Sequence, residues 1–135
     1  MLIGSALITL DGECHLQMEH CNVTENSAQS FLFIGLVPNP YQRSTFALRD
    51  TVFTKNAKGV YTLNVNGASG VVEDCVFKEN NVSSLYLINS NAIVRNSTFS
   101  DNISSFPQIV VFISDDGISS ANHYYLNVSE SNFQQ

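Results

Sequence analysis

Five segments of this chain share one residue pattern, and that pattern limits how the backbone can be arranged. Aligned on their last large apolar residue, the segments are anchored at Val23, Phe53, Phe77, Phe99 and Phe133. Two places before each anchor stands a small residue: Cys21, Thr51, Cys75, Ser97 and Ser131. Five places before stand Met18, Leu48, Val72, Val94 and Val128, all apolar. Three places before stand His20, Asp50, Asp74, Asn96 and Glu130, all polar. Three places after the first four anchors stands asparagine every time: Asn26, Asn56, Asn80 and Asn102.

The anchors lie 30, 24, 22 and 34 residues apart. A stack of helical repeats does not tolerate such variation, whereas short strands joined by loops do. A second apolar segment lies between copies, as in SFLFIGLV, GVYTLNV, SLYLINS and IVVFIS, with SALITL before the first. Each unit therefore reads as strand, turn at Asn, strand, loop. The longer units place their extra residues in excursions at 37–45 and 115–125, both rich in turn-forming residues. The 22-residue unit has no room for a crossover helix. Fifteen Asn and only 13% charged residues fit the same picture, because Asn suits turns better than helix interiors. One domain with little or no helix is expected.

The pattern apolar-x-[Asp/Asn]-[Cys/Ser/Thr]-x-Phe-x-x-Asn resembles the coils of pectin-lyase-like proteins, especially large surface and secreted proteins built from such repeats. The resemblance spans essentially the whole chain. It implies an all-β, right-handed parallel β-helix, a solenoid of four to five coils. It says almost nothing about activity. With a strand (SALITL) at its start and no amphipathic helix at either end, the solenoid is expected to be uncapped at both ends.

Two charge columns agree with coils stacked in register. Four places before the anchors the residues are Glu19, Arg49, Glu73 and Arg95, alternating in sign. Two places after, they are Glu25, Lys55, Glu79 and Asp101. Stacked strands lie about 4.8 Å apart, so opposite charges on successive units attract. The Asn column is expected to form a ladder, Asn26 to Asn56 to Asn80 to Asn102. Its amides can donate and accept along the stack, and Asn accepts the left-handed backbone of a tight turn.

Candidate chemistry is sparse. Asp50 and Asp74 fall on successive units and are the weak candidates for a catalytic pair or a Ca²⁺ site. Acidic residues on a β-helix flank serve the carbohydrate-cleaving relatives, but those relatives' motifs (Asn-Thr-Asp, Gly-His-Gly, Arg-Ile-Lys) do not occur here. The alternative role of that column is a turn whose side chains bond nearby backbone. The run CHLQMEHC offers Cys14, His15, His20 and Cys21, but adjacent residues on a strand point to opposite faces, which is poor zinc geometry. Cys21 and Cys75 stand two units apart, too far for a disulfide, and Cys14 reaches Cys21 only across a bend. His15, His20 and His123 read as surface or turn residues. Tyr41, Phe106, Tyr124 and Tyr125 lie in or beside the long loops, where a binding surface would be built.

A net charge of −6 with scattered basic residues excludes a nucleic-acid face, and no apolar run reaches the length of a membrane span. No cofactor is implied. The start, MLIGSALITL, lacks a basic leader and reads as a strand. Of five Asn-x-Ser/Thr sequons, Asn22, Asn81, Asn96 and Asn127 are glycosylation candidates, and Asn102 is claimed by the ladder. The expected function is a non-enzymatic structural or interaction module of an extracellular or cell-surface assembly. Its partners would be neighbouring chains or flanking β-helix segments at the ends, with glycans a further possibility. A carbohydrate-binding or carbohydrate-cleaving β-helix using Asp50 and Asp74, and an intracellular scaffold favoured by the odd cysteine count, are the competing expectations.

Overall fold

The computed structural model describes residues 6–10, 14–25, 30–34, 44–56, 61–103, 107–112 and 125–134. Its strands fall into three five-stranded sheets, each parallel throughout. The first contains β1 (Ala6–Leu10), β4 (Ser30–Ile34), β7 (Tyr61–Asn66), β10 (Ser83–Ile88) and β13 (Ile109–Phe112), in that order. The second contains β2 (His15–Glu19), β5 (Ser44–Arg49), β8 (Ala68–Glu73), β11 (Asn91–Arg95) and β14 (Leu126–Ser129). The third contains β3 (Asn22–Thr24), β6 (Val52–Thr54), β9 (Val76–Lys78), β12 (Thr98–Ser100) and β15 (Asn132–Gln134). Every third strand is thus a neighbour, and the chain visits the three sheets in turn five times. There is no helix among the described residues.

Register follows the sequence repeat. Val23, Phe53, Phe77, Phe99 and Phe133 are Cα partners in succession. Phe53, Phe77, Phe99 and Phe133 stack with ring centroids 4.7–4.8 Å apart and planes within 7°. That spacing is the strand-to-strand distance, so the backbone sets the ring separation and the rings fill it. Leu48, Val72 and Val94 form a second fully buried column. Leu63, Val65, Leu85 and Leu87 close the core from the first sheet. A third column, Leu16, Phe46, Gly70, Ala92 and Leu126, mixes sizes. There Gly70 makes room for its neighbour: a Cβ on it would sit 2.2 Å from the Phe46 carbonyl oxygen and 2.5 Å from its ring.

Three strands per unit, rather than two, is the main departure from the sequence reading. The repeated motif is two strands meeting at a corner. At that corner His20, Asp50, Asp74, Asn96 and Glu130 adopt left-handed backbone, with φ between 46° and 53°. A second left-handed corner follows the third sheet, at Glu25, Lys55, Glu79 and Asp101, and a third joins the first sheet to the second, at Gly67 and Asn89. The ladder Asn residues were expected to carry the left-handed turn, and this is corrected: the residue just before each of them carries it. Left-handed backbone costs a non-glycine residue roughly 1–2 kcal/mol. The corner N–H groups stay bonded to the next unit, as in Asp50 N–H to Glu73 O and Lys55 N–H to Lys78 O, both 3.2 Å. Ladder bonding therefore runs through the corners at His20, Glu25, Asp50, Lys55, Gly67, Asp74, Glu79 and Asn96.

Asparagine then follows with its amide turned inward. Asn56 and Asn80 are buried. Asn80 Oδ1 accepts from both the backbone N–H of Asn56 (3.0 Å) and its Nδ2 (2.9 Å). Asn102 Oδ1 accepts the same pair from Asn80, at 2.9 and 3.1 Å. Each Nδ2 also donates backward to an anchor carbonyl: Asn56 to Val23, Asn80 to Phe53 and Asn102 to Phe77. Asn26 lies outside the described residues, as do 37–43 and 115–124 of the long excursions. Ser44 and Thr45, expected in the first excursion, begin β5 instead.

Asn80→Ala removes the bonds that Asn80 makes to the Asn56 N–H and Nδ2 and to the Phe53 carbonyl, each contributing about 0.5–1.5 kcal/mol. Urea unfolding is expected to show a loss of several kcal/mol, while Asn81→Ala, at the exposed next residue, changes stability by less than about 0.5 kcal/mol.

Candidate functional site

The corner between the second and third sheets gathers the polar column considered for catalysis. Strand pairing puts Arg49 beside Glu73 and Glu73 beside Arg95, so Asp50 and Asp74 follow one another on successive units, both exposed. Their side chains are engaged in different directions. Asp50 Oδ2 lies 3.7 Å from His20 Nδ1, and Asp74 Oδ1 accepts a hydrogen bond from Asn96 Nδ2. Among the described residues the column therefore breaks into two local pairs, each on solvent-exposed side chains.

Beneath the corner, the small-residue column supports the bend. Thr51, Ser97 and Ser131 hydroxyls donate to the carbonyl two residues back, at 2.8–2.9 Å. Cys75 Sγ does the same to Glu73 O at 3.2 Å, and Cys21 Sγ to Glu19 O at 3.3 Å. Ser97 and Ser131 Oγ also accept N–H bonds from the preceding unit, from Cys75 and Ser97 respectively. Ser90 repeats the device at the other corner, donating to Ile88 O and accepting from the Ala68 N–H. Hydroxyl and thiol are interchangeable here because each supplies one donor to one carbonyl, which explains the mixed Cys/Thr/Ser column.

One place before the corner runs the strongest electrostatic feature. Arg95 Nε donates to Glu73 Oε1 at 2.6 Å, Arg49 Nε to Glu73 Oε2 at 3.2 Å, and Arg49 Nη1 lies 3.5 Å from Glu19 Oε1. Glu73 is gripped from both sides, and its carboxyl is held below the usual carboxylate range, first by the Arg95 hydrogen bond and then, against some burial, by Arg49. The second charge column does not pair across units in the same way. Among the described residues Glu79 bonds Lys78, its chain neighbour, at 3.4 Å, rather than Lys55.

The CHLQMEHC run is split by strand alternation. Cys14 Sγ lies 3.4 Å from Ser44 Oγ, while His15 bonds Thr45 Oγ1 outside at 2.7 Å. All three cysteines are free thiols. Among the described residues no three His, Cys, Asp or Glu side chains converge as a metal group, and no helix is long and apolar enough to cross a membrane. Burial pushes the Cys75 thiol up, against a smaller lowering from backbone hydrogen bonds at Thr51 and Glu73.

The sequons divide by geometry. Asn22, Asn81 and Asn127 are exposed. Asn96 is exposed but spends Nδ2 on Asp74, and Asn102 spends Nδ2 on the Phe77 carbonyl. Tyr125 is half exposed; Tyr41, Phe106, Tyr124 and His123 fall outside the described residues. One polar column went unnoticed in the sequence: His15, Thr45, Ser69, Asn91 and Tyr125, eight places before the anchors. It carries the His15–Thr45 bond, Asn91 Nδ2 to Ser69 Oγ at 3.3 Å, and Tyr125 N–H to Asn91 Oδ1 at 2.8 Å. The same alignment that exposed the other columns contains it.

Compared with known proteins, the chain matches no family model, no curated protein and no solved structure.

Two expectations follow from the titrating groups. Because Glu73 is lowered in the fold, its contribution to stability is complete above the unfolded-chain value near pH 4.3 and is lost as pH falls through the lower native value. Thermal melts across the acid range should show Glu73→Gln flattening that limb, with added salt weakening the difference. For the thiols, a maleimide at neutral pH should label half-buried Cys14 and Cys21 in the native protein and reach Cys75 only in denaturant, read as adducts by intact mass.

Proposed function

We propose that the five units form a right-handed parallel β-helix of the pectin-lyase-like kind, serving as a non-enzymatic structural or interaction module in an extracellular or cell-surface assembly. Parallel strands joined by crossovers take the right-handed path almost without exception, which supports the handedness. The observation that carries the functional reading is the spending of polar side chains on the scaffold. Asn, Ser, Thr and Cys columns are bonded to backbone or to each other along the stack, and the acidic corner is divided between His20–Asp50 and Asn96–Asp74. A hydrolytic or lytic site needs groups converging on one substrate atom, with environments that separate their acid and base roles. The exposed sequons at Asn22, Asn81 and Asn127 support a secreted setting.

Two other readings have an observation each. Asp50 and Asp74 share an exposed corner on successive units, which favours carbohydrate binding or cleavage. The three free thiols favour an intracellular scaffold. A glycan array and an acidic-polysaccharide turnover assay on the wild type and on Asp50→Asn/Asp74→Asn separate the first. No turnover and an identical array pattern for both proteins are expected, and any activity lost in the variant would transfer the assignment to an enzyme or lectin. Intact mass before and after glycosidase treatment, on protein from a secreting host, decides the second: glycan at Asn22, Asn81 or Asn127 is expected, and its absence from all of them removes the support for secretion.

A further inference from the structure

Asn66–Gly67 is the single Asn-Gly pair of the chain, and it stands where β7 turns into β8. The corner itself calls for the glycine: Gly67 has a φ of 71°, and left-handed backbone costs other residues roughly 1–2 kcal/mol. In the next unit the equivalent corner residue is Asn89, preceded by Ile88, the strand partner of Asn66. An Ile before the corner is chemically inert, whereas an Asn before a glycine is not. The Gly67 nitrogen can attack the side-chain carbonyl carbon of Asn66, Cγ, and a glycine has no Cβ to obstruct the approach. The folded corner opposes that attack in two ways. The Gly67 N–H donates to Ile88 O at 2.9 Å, so the attacking nitrogen is aimed at the neighbouring strand. Leu63 and Val65 are buried in the core, so by strand alternation Asn66 leaves on the outer face, perpendicular to that bond.

We propose that Asn66 is a deamidation site held shut by this corner, and that opening the corner marks the chain irreversibly. Once the Ile88 bond is released, base takes the Gly67 N–H proton and the nitrogen bonds Cγ. The Cγ–Nδ2 bond then breaks, and Nδ2 leaves as ammonia. The resulting succinimide ring takes up one water. Opening at Cγ gives aspartate, and opening at the main-chain carbonyl of residue 66 gives isoaspartate, in which the backbone runs through Cβ and Cγ. Either product disturbs the stack. Aspartate adds a charge at a half-buried position. Isoaspartate lengthens the backbone by one carbon just ahead of Ala68, Gly70 and Val72, whose register is fixed against Ser44, Phe46 and Leu48. That stretch has little slack, since a Cβ on Gly70 would already sit 2.2 Å from Phe46 O. Asn89–Ser90 and Asn96–Ser97, whose attacking residue carries a Cβ, are the slower comparisons within the same chain. Because the reaction needs the open corner, an opening cost of only about 1.4 kcal/mol slows it tenfold.

The test incubates the full chain in mildly alkaline buffer, folded or in guanidinium, and follows each Asn by peptide mass. Methylation by an isoaspartyl methyltransferase separates isoaspartate from aspartate. Conversion concentrated at Asn66 in guanidinium, and slowed at least about tenfold in the folded chain, is expected. Ser90→Ala removes the bonds of Ser90 Oγ to the Ala68 N–H and to Ile88 O. It should speed conversion in buffer and leave the guanidinium rate unchanged, while Asn66→Gln should abolish conversion at this position. After transfer back to buffer, isoaspartate-bearing chains should regain less far-UV β signal than Asn66→Gln chains incubated for the same time. Equal rates in the folded and denatured wild type overturn the gating, and this comparison needs no variant. An unconverted Asn66 in guanidinium overturns the site itself. A folded Ser90→Ala that converts no faster than the wild type overturns this corner as the gate. Full recovery of the β signal by isoaspartate-bearing chains overturns the irreversible mark.

Discussion

Everything in this fold depends on one constraint: successive units are separated by a single strand spacing, so each side chain has its counterpart about 4.8 Å above and below it. A residue is acceptable at a position only if it tolerates that neighbour. Phe satisfies the demand by stacking, Asn by donating and accepting, and Ser, Thr or Cys by bonding the same carbonyl in every unit. Charge satisfies it by alternating, as at Glu19, Arg49, Glu73 and Arg95. The constraint also explains the compensation at Gly70, where one column gives up volume so that Phe46 can occupy the space of two residues.

Because the constraint acts column by column, the columns were the legible part of the sequence. Anchoring on Phe53, Phe77 and Phe99 placed the Asn, small-residue and Glu/Arg columns in the register that the strands adopt. What could not be read was the path of the backbone between columns. The corner at His20, Asp50, Asp74 and Asn96 was legible as a turn, since Asp, Asn and His favour left-handed backbone, whereas Glu25, Lys55 and Glu79 carry no such signature and are held there by the bonds of their corner. The third corner was missed for a similar reason, since Gly67 and Asn89 stand in only two units with few residues in common around them. The expected pairing of Lys55 with Glu79 gives way to a contact between Glu79 and its chain neighbour Lys78.

The polar corner illustrates why a suggestive column is not a site. In a stacked fold, like residues line up because the backbone repeats, so two carboxylates on successive units need no functional cause. What distinguishes chemistry from repetition is convergence and a changed environment. At Glu73 the environment is altered, yet both partners are the neighbouring rungs of its own column. Its lowered carboxyl belongs to the scaffold.

The corner-to-corner bonding has a mechanical consequence. A force pulling the first unit away from the last, along the stack, loads the hydrogen bonds between units in the direction in which they open. Each interface would then part by itself, strand by strand, while the units on either side keep their own corners. The chain would lengthen in separate steps set by the anchor spacings of 30, 24, 22 and 34 residues. The shortest step would release the interface between Phe77 and Phe99, where loop slack is least. A domain built this way yields gradually under tension instead of failing all at once.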